Sequence, residues 1–79
     1  MDAEQVRTIA SLEARCHVCH AIMCSMRDLL IEALGDFLCG SGYGPSVEAL
    51  WAFEEAEFLE ALARLELTVY KAAIKTQGL

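Results

Sequence analysis

Apolar residues recur through the first half of the chain in alternating steps of three and four: Ile9, Leu12, Cys16, Cys19, Met23, Met26, Leu30, Ala33 and Phe37. That spacing is the heptad seam of a helix packed lengthwise against another. The second half repeats the idea with Val47, Trp51, Phe58, Leu62, Leu65, Val69 and Ala72. Between them, Gly and Pro gather in one place, Gly40-Ser41-Gly42-Tyr43-Gly44-Pro45. Ser46 then offers an N-cap hydroxyl, and Glu48 an acid for the first turn. The pattern predicts an all-α chain, a single domain over 1–79, with helices at roughly 3–38 and 46–76 and a turn at 40–45. The two seams pack as an antiparallel hairpin. Gly35 is a candidate early stop for the first helix, which would leave 36–39 as a short extra turn.

Placed at 100° per residue, the second helix shows another apolar arc opposite its seam: Ala52, Phe53, Ala56, Leu59, Ala63, Leu67, Tyr70 and Ile74. The first helix has a weaker counterpart in Val18, Ile22 and Leu29. A helix that is apolar on two sides is buried on two sides. One side serves the hairpin, and the other is expected to serve a second copy, giving a homodimer that closes as a four-helix bundle. Composition points the same way, because 56% of the residues are apolar in a chain of only 79, and domains this small need help to bury a sufficient core. No apolar run approaches the length needed to cross a bilayer, and the start of the chain lacks the basic and greasy stretches of a secretory signal. A cytoplasmic protein, without membrane association, is the expectation.

Charge divides the chain unevenly. Asp28, Glu32, Asp36, Glu48, Glu54, Glu55, Glu57 and Glu60 occur with no basic residue among them, so a formal −6 resolves into −8 in the middle and +2 at the ends. Folding at the centre makes one pole strongly negative, a field that concerns partners and not fold. Asp28, Glu32 and Asp36 stand at i, i+4, i+8, where like charges repel. Glu54 falls near the middle of the assigned seam, where an unpaired carboxylate is costly, and is expected either in solvent near the turn or against a partner. Only Glu60 with Arg64 makes a favourable i, i+4 pair.

Cys16-His17-Val18-Cys19-His20 resembles the attachment pattern of c-type haem, in which Cys16 and Cys19 would hold the porphyrin and His20 the iron. The heptad already accounts for both cysteines as seam residues, and no distant methionine is placed to supply a sixth ligand. Metal binding is the stronger chemical alternative, with Cys16, Cys19, His20 and Cys24 as candidate ligands for zinc or copper. One helix directs only two or three of these at a single ion, so a closed site would need Cys39 or a dimer mate. The plainer reading treats the thiols as small apolar residues in a reducing compartment, Met23 and Met26 as filler, and His17 and His20 as solvent-facing. Catalysis has no support: Cys16 and His20 form a nominal pair without a third group, and the glycine turn lacks the ending of a phosphate loop.

In size, acidity, helical content and the run of acids from Asp28 to Glu60, the chain resembles the small phage-encoded inhibitors typified by anti-CRISPR proteins. That resemblance implies a non-enzymatic inhibitor or regulator, several members of the class imitating nucleic acid in charge. The residues lead to the same kind of expectation, a protein-binding module whose acidic surface occludes a basic, nucleic-acid-binding surface of a partner protein. Asp28, Glu32, Asp36, Glu48, Glu55 and Glu57 would carry the contact, with Tyr43 and Trp51 as aromatic anchors. Direct nucleic-acid binding is not expected from six scattered bases. The alternative is a Cys/His metal-binding or metal-sensing bundle.

Overall fold

The computed structural model describes residues 1–77 and contains two helices, α1 (Ala3–Leu38) and α2 (Val47–Gln77), packed against each other as an antiparallel hairpin. The result is a rod with Cα extents of 61 × 16 × 15 Å. Asp2 starts α1 with a capping box: its carboxylate accepts from Gln5 N at 2.8 Å, and the Gln5 side chain accepts from Asp2 N. The two bonds satisfy amide donors that a helix start leaves unpaired. Ser46 caps α2 as expected, its hydroxyl accepting from Ala49 N at 3.1 Å.

α1 runs through Gly35 and stops at Leu38, so Gly35 is not a break. Termination comes from Gly40, whose φ of +88° turns the chain left-handed. Gly40 N then reaches Phe37 O, and Ser41 N reaches Asp36 O, the paired bonds of a Schellman ending. The turn closes against Phe37: a Cβ on Gly44 would lie 3.4 Å from that ring.

The α1 seam is the one expected. Ile9, Leu12, Cys16, Cys19, Met23, Met26, Leu30 and Ala33 are all half-buried, and only Phe37, at the turn, is left largely exposed. On α2 the assignment of faces reverses. Half-buried Ala49, Ala52, Phe53, Leu67, Tyr70 and Ile74, with fully buried Ala56, Glu60 and Ala63, form the side that meets α1. Val47, Trp51, Phe58, Leu62, Leu65 and Val69, expected as the hairpin seam, point outward. Of the arc assigned to a second copy, only Leu59 remains exposed. The physical reason lies in size and in one charge: alanines let the helices approach closely, and Glu60 is the seam acid that finds a cation, Arg64, whereas Glu54 stands in solvent.

Among the described residues nothing else is buried. Ala56, Ala63 and Glu60 are the whole interior, and no large side chain is fully enclosed. An exposed Arg15–Glu66 ion pair of 2.7 Å spans the two helices toward the terminal end of the rod. No described helix is long and apolar enough to cross a membrane.

Candidate functional site

Every acidic and aromatic residue singled out for partner contact is exposed: Asp28, Glu32, Asp36, Tyr43, Glu48, Trp51, Glu55 and Glu57. They are not gathered on one face. Asp28 and Glu32 lie on the side of α1 turned away from the seam, one turn apart. Glu48 and Glu55, seven residues apart, share one flank of α2, while Glu57 lies on the other, at a shallow notch also lined by Met23, Glu60, Ala61 and Arg64. Tyr43 stands free at the tip of the turn. The acids therefore ring the turn half of the rod. Among the described residues, the ion pairs of this half are Arg27 with Asp28, at 3.6 Å, and Arg64 with Glu60, which His20 also approaches.

The second feature of this half is apolar. Trp51 is 64% exposed and Phe58 65%, and Leu62 and Leu65 continue their line toward the terminal end. Val69 completes it and borders a non-polar recess with Leu65, Tyr70 and Ala73. Ridges of this kind normally meet another surface.

The candidate metal ligands separate into two groups. Cys16 and Cys19 belong to the α1 seam, while His20 and Cys24 stand on its flank. Among the described residues, no three His, Cys, Asp or Glu side chains converge in a way that could hold a metal ion. His17 and His20 are both exposed as expected, and His20 also reaches toward Glu60 of α2. Its Nδ1 lies 3.3 Å from Glu60 Oε2, and its Nε2 lies 3.4 Å from Cys24 Sγ. The two ring nitrogens thus face different residues, so the imidazole bridges carboxylate and thiol and does not direct them at one point.

Glu60 was visible in the sequence only as the partner of Arg64, and that pair is present at 2.6 Å between Arg64 Nη2 and Glu60 Oε1. Its other oxygen is buried and makes no hydrogen bond, although His20 stands within ion-pairing distance. The missed signal is the register Ala49, Phe53, Ala56, Glu60, Ala63, Leu67, Tyr70, Ile74, an unbroken alternation of fours and threes with an acid inside it. Comparison of the chain with family models, with curated proteins and with solved structures finds no match.

Proposed function

We propose that this protein is a non-enzymatic binding module that works as a dimer of hairpins, clasped through the outer face of α2, and presents its acidic turn to a basic surface of another protein. The observation that carries this reading is the exclusion of Trp51, Phe58, Leu62 and Leu65 from the hairpin's own interior. Their exposure has a measurable scale. The chain exposes 6009 Å², whereas a compact monomer of its 8.7 kDa mass would expose about 4,700 Å². The excess is larger than the roughly 800 Å² that each partner contributes to a stable interface. A second copy supplies a matching apolar ridge by symmetry, so four helices share one interior.

Assembly through α2 leaves the back of α1 and the turn in solvent, with Asp28, Glu32, Asp36 and Tyr43 accessible. Few bases interrupt that field, which suits it to a protein that binds phosphates, in the manner of the nucleic-acid-mimicking inhibitors the chain resembles in profile. Such an encounter is steered by charge and weakens with salt.

Two measurements test the two halves of this reading. Light scattering on the eluting protein is expected to give twice the chain mass, and a monodisperse monomer at micromolar concentration overturns the dimer. A nucleic-acid-binding protein retained on the immobilised hairpin is expected to be released by raised salt and by competing duplex DNA. Asp28→Asn with Asp36→Asn should weaken retention several-fold, and Glu4→Gln should leave it unchanged. Retention indifferent to salt and to both acids overturns the electrostatic contact.

A further inference from the structure

The exposed outer ridge does not explain Glu60, a carboxylate 7% exposed in a seam otherwise made of alanines and larger apolar residues. Its buried Oε2 has no hydrogen-bond donor and is aimed at His20 Nδ1, 3.3 Å away. On the far side of the same ring, Cys24 Sγ lies 3.4 Å from Nε2. A carboxylate oxygen facing one nitrogen of an imidazole at 3.3 Å, though short of a hydrogen bond, favours the proton on that nitrogen and so leaves the opposite nitrogen to accept. That acceptor faces a thiol. Thiol, imidazole and orienting carboxylate in this order are the parts of an activated sulfur nucleophile. Cys24 is the only one of the four cysteines found in such a set: Cys16 and Cys19 fill the α1 seam, and Cys39 is exposed at the C-terminal cap of α1.

We infer that Cys24 is a thiol–disulfide exchange site for low-molecular-weight disulfides, with His20 and Glu60 as positioning residues. In the exchange, the Cys24 thiol gives its proton to His20 Nε2 as Sγ bonds to one sulfur of the disulfide. The sulfur–sulfur bond breaks with its electron pair on the departing thiolate, which takes up the proton from His20. Cys24 ends as a mixed disulfide, one half of the reagent ends as a free thiol, and the disulfide itself is the oxidant. Cys24 lies on α1, off the seam and away from the outer face of α2, so the site stands independently of how hairpins assemble.

The four cysteines make the test internal to one chain. The full-length protein, reduced and then exposed to oxidised glutathione, is quenched at intervals with an alkylating agent and mapped by peptide mass spectrometry. Cys24 is expected to be glutathionylated about tenfold faster than the more exposed Cys39. His20→Ala and Glu60→Gln should each bring Cys24 down to the Cys39 rate or below, leaving Cys39 unchanged. Cys16 and Cys19, half-buried in the seam, report on integrity, since a substitution that opens the hairpin raises their rates above those in the unsubstituted protein. Should a variant open it, the order of Cys24 against Cys39 in the unsubstituted protein decides alone. Cys39 leading there, or a Cys24 advantage that survives both substitutions in a closed hairpin, overturns the assignment.

Discussion

On its inner face α2 places Ala49, Ala52, Ala56 and Ala63 among half-buried Phe53, Leu67, Tyr70 and Ile74, and on its outer face Trp51, Phe58, Leu62 and Leu65. Both faces are apolar, but they differ in what burial yields. A methyl group removes little surface from water, while each large side chain is worth about 1.5–3 kcal/mol when fully enclosed. The inner face thus combines close approach at its alanines with partial burial of four larger side chains, while the outer face keeps its large side chains in water. The hairpin encloses its alanines and half-buries Phe53 and Tyr70, but leaves Trp51, Phe58, Leu62 and Leu65 in water, so intramolecular packing uses only part of the large apolar surface that α2 carries.

The largest effect should come from breaking the outer face. Phe58→Asp puts a charge at the centre of the ridge, in a position the hairpin itself does not use. We expect the dissociation constant of the dimer to rise by about a hundredfold or more, a loss of roughly 2.7 kcal/mol. Sedimentation over a dilution series reads it directly. Helicity should fall with the mass, because a lone hairpin of this size has little interior to hold it. A variant that stays dimeric and fully helical would place the interface elsewhere.

The inner face should respond to the opposite change. Ala63 is 3% exposed, and Ala63→Leu would force the helices apart where they touch. Overpacking of this kind costs about 1–3 kcal/mol, seen as a lower melting temperature at fixed protein concentration. The same substitution at Ala61, exposed on the flank, is the control. Equal effects at both positions would mean that the alanine face is not the contact.

The contrast between these faces also shows what the sequence could and could not disclose. Helix extents, the turn at Gly40 to Pro45, the Ser46 cap and the α1 seam from Ile9 to Ala33 followed from period and punctuation, because each depends on local chemistry. The choice of face on α2 did not, since hydrophobicity alone favours the side with the larger residues. Two features pointed to the correct side: the uninterrupted heptad through Ala49, Ala56 and Ala63, and the neighbours of the two embedded acids. Glu60 has Arg64 four residues on, whereas Glu54 has Phe58 there. The His20 and Cys24 arrangement needed the antiparallel register, which brings Glu60 across to them from forty residues away, and no spacing within α1 could reveal it. The reading of Cys16 and Cys19 as seam residues, by contrast, required only the period.

Glu60 sharpens the comparison further, because among the described residues it is the one charged residue buried on the inner face. Its carboxylate loses water on burial and recovers an ion pair with Arg64, whose side chain is mostly exposed, and one incomplete interaction with His20. Exchanges of this kind rarely favour the charged residue: replacing a buried ionic group by an apolar one of similar volume is commonly neutral or stabilising. Glu60→Leu should therefore raise hairpin stability by about 1 kcal/mol, or some 4–8 °C in a chain of this length, followed by thermal circular dichroism at constant concentration. Glu54→Leu, on the outer ridge, should instead tighten the dimer and leave the inner contact alone. If Glu60→Leu does stabilise while the Cys24 exchange rate falls, the acid is held in the seam against its own cost for the sake of the imidazole beside it. If it destabilises, Glu60 is a structural cross-brace between the helices, and its proximity to His20 follows from packing.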